Sequence, residues 1–476
     1  MGVLASVNTK KSSGSRIYQY IAAITANLGI ICSEMHYGWP SPFVPTLQSG
    51  QYHFQISSEE GSWLVVAPLV GAIFGAFVTA LIVDRFGRKR LIIFSSLPFV
   101  TSWLLIGFAD SSTLMFVGRV LAGAADGLSF TAVPMYLGEI ADPKIRGLLA
   151  SLCPVCIVFG ILLINIFGAY LALDTVAYIG TIFPILLLVT FSWMPESPYY
   201  LLMHDRTAEA RKSLQTFRGV EEVTEELTRI SGAIQEQADN RGSVFDLVTV
   251  KGNRKGLFTT LGLRGIQQLS GTTAIIFYCK TIFKEAEGFI SSSLATIIYF
   301  SVQLFLSALT SFVVDISGRR PLLIVSTTGT ALTLLLNGVF LYLKNCTEVD
   351  TSSFDFVPLV ALLCFVVVFS VGLQTIPLLV MGEIYPTSVK AIALCFMDIF
   401  YSVIVILISK FFHWSNDTYG MHVPFFTFSC CCLLGLVFIV FYVPETKGKT
   451  LEDIQAELRG QKQKAAVRYV EGEKFY

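Results

Sequence analysis

Charge is what this sequence has least of. Only 14% of its 476 residues are Asp, Glu, Lys or Arg, against 53% hydrophobic, and mean hydropathy is +0.65. A water-soluble domain carries about 25% charged residues, so a wholly water-facing surface is excluded and lipid must cover much of the chain. Neither sign is in excess, with Lys+Arg and Asp+Glu at 34 each; that removes the electrostatic case for nucleic acid. The five histidines are scattered, no metal-ligand spacing stands out, and no nucleotide loop is present. The chain is expected to be no enzyme and to hold no metal or other cofactor. A disulfide framework is excluded too. The ten cysteines lie nearly all in apolar runs, including Cys430, Cys431 and Cys432, and Cys153 and Cys156 share one such run; they read as packing residues. A cleavable signal is also missing. The first 16 residues are polar, with Lys10, Lys11 and Arg16, and no small-residue cleavage site follows the first apolar run, which is expected to stay as a span. Met1-Gly2 with Ser6 fits the myristoylation pattern, too short a match to decide acylation.

What is present is a series of apolar runs. They lie at about 17–38, 62–83, 91–109, 113–137, 148–173 and 175–194, and resume at about 257–279, 289–314, 321–343, 356–381, 391–412 and 421–443. A crossing helix needs about 20 apolar residues, and backbone in lipid must satisfy its own hydrogen bonds, so these are twelve helical spans. Basic residues gather in the loops after even-numbered spans: Arg85, Arg88, Lys89, Arg90, Lys144, Arg146, Arg319 and Arg320. Loops after odd-numbered spans are nearly free of them, with Lys280, Lys284 and Lys344 the main exceptions. Both termini are thereby expected in the cytoplasm. Two sequons, at Asn345 and Asn416, fall in loops this topology puts outside, where glycosylation takes place. In the long polar stretch between the halves, Val223, Leu227, Ile230 and Ile234 recur at helical spacing among Glu221, Glu222, Glu225, Glu226 and Arg229. That pattern predicts amphipathic cytoplasmic helices.

The two halves repeat one another. Asp84-Arg85-Phe86-Gly87-Arg88 after span 2 returns as Asp315-Ile316-Ser317-Gly318-Arg319-Arg320 after span 8. Glu139 and Arg146 after span 4 return as Glu383 and Lys390 after span 10. Pro195-Glu196-Ser197 after span 6 returns as Pro444-Glu445-Thr446 after span 12. Three matched pairs in one order imply two six-helix bundles made by parallel duplication. The organisation is then a tail (1–16), a bundle (17–195), a cytoplasmic helical linker (196–256), a second bundle (257–443) and a tail (444–476). All the motif charges lie at cytoplasmic helix ends. Pairs among them are expected to latch the bundles together on the inner side in one state and to break when the protein opens inward. The competing reading is that they only set topology and snorkel to the headgroups.

Ionisable residues inside spans are functional candidates by default. Glu34 and His36 lie near the outer end of span 1. Arg119 lies in the outer half of span 4 and is expected to pair with Glu34. Asp126 follows seven residues on; Glu34, His36 and Asp126 are the candidates for proton coupling. Arg264 falls in the first turns of span 7, where a long cation snorkels, and Asp398 in span 11 has no assigned role. The neutral polar residues of span 7, Gln267, Gln268, Ser270, Thr272 and Thr273, offer donors and acceptors without charge, which suits a polyhydroxylated neutral ligand. Gln303, Asn337 and Gln374 add to them, the alternative being interhelical hydrogen bonds.

These motifs resemble the sugar-porter family of the major facilitator superfamily over about residues 17–455. The stretches that carry the likeness are DRFGRKR at 84–90, GRVLAG at 118–123, PMYLGEIADPKIRG at 134–147, PESPYYLL at 195–202, QQLSGTTAIIFY at 267–278, DISGRRPLL at 315–323, GEIYPTSVKA at 382–391 and PETKGKTLEDI at 444–454. The short loops and HYGWPSP at 36–42 look like the insect trehalose and hexose transporter branch. The resemblance implies alternating access around a central site, with Gln267 and Gln268 on the sugar and Gln303 where relatives place a sugar-contacting Asn. It also implies that Asp84, Arg88, Glu139, Arg146, Arg319, Arg320, Glu383, Lys390 and Glu445 form the inner charge network, and that Arg119 faces span 1. The family pattern is broken at Pro154, Thr273, Leu378, Tyr401 and Ser402, where relatives carry Gln, Asn, Trp and Asn-Trp. Proton-coupled relatives have an Asp near the place of Pro40.

The expected molecule is an all-α polytopic membrane protein of the major facilitator fold in the plasma membrane. Its expected work is facilitated transport of a neutral sugar, trehalose or a hexose, with lipid and sugar as its only implied partners. Proton-coupled symport and a transporter-like sugar sensor are the alternatives.

Overall fold

The computed structural model describes residues 16–239, 243–287 and 289–447, with 449, 454, 457 and 458 beyond. The acylation pattern, Lys10 and Lys11 lie outside them, and so does the side chain of Asp315. No strand occurs among the described residues. Ten helices are long and apolar enough to cross a membrane, and two further crossings are each built from two helices in tandem. Span 1 is Ile17–Gly38 followed by Pro40–Gln48, and span 7 is Lys251–Leu269 followed by Thr272–Phe283. The others are Ser58–Phe86 (2), Arg88–Gly107 (3), Ser112–Ile140 (4), Arg146–Tyr170 (5), Leu173–Gly180 with Ile182–Phe191 (6), Ser292–Ser317 (8), Arg319–Cys346 (9), Val357–Val371 with Ile376–Ile384 (10), Thr387–Tyr419 (11) and His422–Tyr442 (12). The face carrying Ile17 and Tyr442 is called the terminal face below.

The breaks have local causes. Pro40 and Pro42 interrupt span 1. In span 7, Gly271 takes φ +77, a left-handed conformation that favours glycine. In span 10 the chain leaves the helix at Gly372 and re-enters with Pro377 in the first turn. Spans 2 and 3 are joined by the single residue Gly87 at φ +92, and spans 8 and 9 by Gly318 at φ +87. The helices run past the apolar runs: span 7 begins at Lys251, inside the stretch expected to be linker, because a cytoplasmic first turn needs no apolar residues. Between the bundles, helices Pro198–Met203, Thr207–Arg218 and Thr224–Asp239 bury Tyr200, Leu201, Leu214, Val223, Leu227 and Ile230 against one another, with Ile234 at the edge. Gln19 and Arg218 tie this unit to the first bundle, through the Phe217 and Ile140 carbonyls, both at 2.7 Å.

Spans 2 and 4 touch backbone to backbone. A Cβ on Gly123 would lie 1.8 Å from the Pro68 carbonyl oxygen, one on Gly71 2.0 Å from that of Val120, and one on Gly75 2.3 Å from that of Ala124. With no hydrophobic force between helices in lipid, such close approach supplies the dispersion energy of association. We expect Gly123→Ala to lower the thermal midpoint of the purified protein by several degrees, the overpacking costing about 1–3 kcal/mol. Gly138→Ala, where a Cβ meets nothing within 4 Å, should leave it unchanged; equal midpoints for the two variants would refute the packing argument.

Candidate functional site

The polar residues of span 7 gather at its break. Gln267 donates both amide protons across to span 10, to the carbonyls of Leu373 (2.8 Å) and Gln374 (3.0 Å), and accepts from Arg264 Nη1 at 2.7 Å. The reason lies in Pro377: it lacks the N–H that would close the helical bond to Leu373, so Gln267 supplies it. Its amide is therefore spent on the scaffold. Gln268 is different. Its Oε1 accepts from Thr273 at 2.6 Å, leaving the NH₂ group. Thr273 and the span-11 residue Tyr401 both meet Tyr37 of span 1, at 3.4 and 3.1 Å between oxygens. A neutral amide and three hydroxyls thus converge where the bundles face each other. Gln303 and Asn337 are buried, each with an amide oxygen that has no partner among the described residues. The Gln374 side chain stays within span 10, accepting from Ser370 at 2.8 Å.

The same meeting place of the bundles, called the chamber below, also holds charge. Asp398, about a third of the way along span 11, is exposed, and Asp126 of span 4 is half-buried. They are near enough to act on each other electrostatically, and a carboxylate exposed this deep in a span faces water rather than lipid. Asp126 accepts from Ser33 of span 1. Arg264 is buried over the Tyr401 ring, 4.6 Å from its centre, and acts on Asp398. It does not snorkel, because span 7 starts at Lys251 and puts Arg264 about four turns in.

Arg119 does not pair with Glu34. It donates to the carbonyls of His36 and, at 3.2 Å, Leu64, with Trp39 stacked 4.8 Å away. Both carbonyls are orphans, since the residues four places on are Pro40 and Pro68. Arg119 is fully buried and replaces two missing backbone donors in three spans. Glu34 is buried without a hydrogen bond to another described residue. The His36 ring lies in an apolar stack, 3.9 Å from Trp103 and 5.9 Å from Phe99. Both prolines were visible in the sequence and signal these orphans.

On the terminal face the repeated motifs form the same device twice. Arg88 pairs with Glu139 at 3.0 Å and with Asp84 at 3.1 Å; Arg319 pairs with Glu383 at 2.9 Å. The hydroxyl after each Pro-Glu donates to that same glutamate, Ser197 to Glu139 and Thr446 to Glu383 at 2.5 Å. The motif glutamate itself accepts from the backbone beyond the glycine turn. Glu196 takes the Lys89 N–H at 3.0 Å, and Glu445 takes those of Arg319 and Arg320 at 3.1 and 3.0 Å. The pairs expected to bridge the bundles are therefore formed within each bundle, because the one-residue turns hold each arginine beside its own neighbours. Arg146 is exposed and makes no ion pair among the described residues, and Lys390 bonds to the Gly382 carbonyl at 2.6 Å instead of to Glu383. The sequence marks Glu196 only as one of the repeated motif charges and gives Ser197 no role, although its repeat with Thr446 signals one. Burial pushes the Glu196 carboxyl up. Burial also pushes Glu445 up, but four backbone N–H groups more than offset it and hold the carboxyl below its ordinary range.

Among the described residues, the polar contacts between bundles lie in the chamber and at the opposite face. Lys410 of span 11 reaches Ser62 at 2.7 Å and caps the Trp63 ring at 3.6 Å. Ser58 donates to Asp417 at 2.8 Å, and the Lys280 N–H meets Ser41 at 3.3 Å. Asn345 and Asn416 lie on that face, Asn416 donating to the Asp417 side chain at 3.2 Å.

A family model described as sugar (and other) transporter matches residues 18–458. The facilitated trehalose transporter Tret1 of Polypedilum vanderplanki is 34% identical over 93% of this chain and 88% of its own length. Tret1 of Anopheles gambiae is 35% identical over 93% of this chain and 56% of its own. The chain spans about half the length of several of the curated relatives it matches. Among solved structures, the partially occluded inward open conformation of the xylose transporter XylE from E. coli is similar at TM-score 0.76 and 23% identity, over 91% of this chain and 100% of that one. The inward open conformation of the same transporter also gives 0.76, over 92% and 99%.

Two outcomes follow. Arg119→Ala should cost about 1–3 kcal/mol for each orphaned carbonyl, and Pro68→Ala, which restores the helical donor to Leu64, should recover part of that loss. A double variant whose destabilisation equals the sum of the singles would remove the orphan-carbonyl account. Glu445 is held low in the fold, so it stabilises above its unfolded value, about 4.3, and that stability goes as pH falls. The thermal midpoint of Glu445→Gln should therefore fall less than that of the wild type between about pH 6 and 3.

Proposed function

The chain belongs to the sugar (and other) transporter family, and from that membership we propose that it carries a small neutral sugar, trehalose or a hexose, down its gradient through the plasma membrane. The observation that carries the reading is the meeting of Gln268, Thr273, Tyr37 and Tyr401 between the bundles. An amide and hydroxyls recognise sugar hydroxyls in both senses, as donor and acceptor. The named activity of the Tret1 relatives, facilitated trehalose transport, supports the substrate class. No chemical step and no cofactor are required.

Basic loops on the terminal face support a cytoplasmic placement for it and for both termini. The opposite face, with sequons at Asn345 and Asn416, is then extracellular. Clamped there by Lys410 and Ser58, the protein faces inward, and the chamber drains to the cytoplasm past Asp398. Each bundle, 17–195 and 257–443, moves as a body because its own Arg–Glu pair holds its inner helix ends together. Release of the outer clamp opens the outer mouth, and the exposed Arg146 is then free to meet the second bundle on the inner side. In this cycle Gln268 and Thr273 touch sugar, Gln303 lies on the second-bundle wall, and Gln267 positions the break in span 10. A second reading, proton-coupled symport, is favoured by one observation: Asp126 and Asp398, from opposite bundles, lie within electrostatic range of each other.

Gln268→Ala should lower sugar uptake about tenfold at unchanged surface expression, the worth of one or two hydrogen bonds. The assay is radiolabelled trehalose, glucose and fructose entering oocytes, with and without a protonophore. Uptake of one sugar that survives the protonophore supports the uniporter; uptake that collapses transfers the role to Asp126 and Asp398. Unchanged uptake by Gln268→Ala would sink the site.

A further inference from the structure

Below each bundle, at the inner end of its spans, lies a cavity that the transport cycle does not use. The first, about 550 Å³, is lined by Lys89, Arg90, Arg206 and Lys212 together with Glu196 and Glu209. The second, about 790 Å³, is lined by Arg254, Lys255, Arg320 and Lys449 together with Glu445 and Glu457. Four cations face two carboxylates in both. The repeat that relates the bundles maps Glu196 onto Glu445 and Lys89 onto Arg320, so the two cavities are equivalent places in the duplicated fold.

The carboxylates are already committed. Glu209 holds Arg206 through two bonds, at 2.7 and 2.5 Å, and Lys449 holds Glu457 at 2.5 Å. Glu196 and Glu445 accept from backbone N–H groups. Lys89 is drawn electrostatically toward Glu196, whereas Arg90 and Lys212 in the first cavity, and Arg254 and Lys255 in the second, form no ion pair among the described residues. Each cavity therefore presents unspent positive charge in a recess, the arrangement that charge-assisted bonds to phosphate oxygens need.

Position selects the source of the phosphate. Lys89, Arg90 and Ile93 open span 3, and directly above them Phe94 and Leu97 are exposed on the membrane side. Arg254 and Lys255 open span 7, and Phe258, Phe441 and Tyr442 are exposed beside them. Cations at the span end with bare apolar side chains above match a lipid in both its parts, headgroup and chains. We infer that these cavities are paired binding sites for the phosphate esters of anionic phospholipid headgroups in the inner leaflet. The inference rests on the proposed orientation of the terminal face but not on any transport assay.

The test is lipid retention by the full-length protein, measured by native mass spectrometry after exchange into phosphatidylcholine with or without phosphatidylinositol phosphate. Wild type should keep up to two molecules of the phosphorylated lipid and none of the phosphatidylcholine. Arg90→Gln with Lys212→Gln should remove one, and adding Arg254→Gln with Lys255→Gln should remove the other, at least about a tenfold loss of retention overall. All four side chains are exposed, so the thermal midpoint should not move. Soluble inositol bisphosphate is the second arm. Binding at least tenfold weaker than the lipid supports the leaflet source, whereas equal binding assigns the cavities to free phosphate esters and overturns that source. Retention unaffected by the four substitutions, or equal for phosphatidylcholine, overturns the proposal outright.

Discussion

A carbonyl oxygen inside a bilayer has no water to bond with, and much of this structure follows from that constraint. Pro40, Pro68 and Pro377 each remove the donor owed to a carbonyl four residues back, at His36, Leu64 and Leu373. At these three places a side chain supplies the missing donor. Arg119 serves the first two and Gln267 the third. These bonds tie span 4 to spans 1 and 2, and span 7 to span 10, at the depth where the bundles face each other. The irregular backbone that shapes the chamber therefore exists because two polar side chains complete it.

The second constraint is charge at helix ends. One-residue turns at Gly87 and Gly318 throw an arginine back against the glutamates of its own bundle, and the Pro-Glu motifs cap the backbone those turns expose. The Arg88–Glu139 pair is nearly closed to water, so separating its partners would leave a buried charge, a loss of about 3–5 kcal/mol; Arg319–Glu383 is the more open of the two. That cost makes each bundle stiff on the terminal face. The polar contacts between bundles are instead single hydrogen bonds and a cation over Trp63, each worth about 1 kcal/mol, beside apolar packing such as Tyr37 on Phe277. Charge pairs kept within the bundles, with none tying one bundle to the other among the described residues, are what a rocking mechanism needs.

The chamber combines two chemistries. Its amides and hydroxyls suit a neutral polyol, while Asp126, Asp398 and Arg264 bring charge into the same space. Arg264 is balanced on one side by Asp398 and supported by the Tyr401 ring, so the arrangement is held together by its own counter-charges. Tyr401 stands where the family resemblance places an Asn, and it gives up the role of an amide for that of a platform under Arg264.

The amino-acid sequence by itself determined the number of spans, the duplication and the residue types at the break of span 7, because each rests on patterns local in the chain: apolar run length, motif order and glycine or proline. It also carried the family, through motifs that recur at fixed places. Partnership was decided by tertiary structure. Glu34 and Arg119 share a membrane depth, which is all that spacing reveals. Whether they touch depends on a proline-made orphan in a third helix. The inner charges read as a latch between bundles because sequence order says nothing about which bundle a guanidinium turns toward; the positive φ of two glycines decides that. Gln267 and Gln268 are adjacent and chemically identical, yet helical geometry turns one into a scaffold bond and leaves the other facing the chamber.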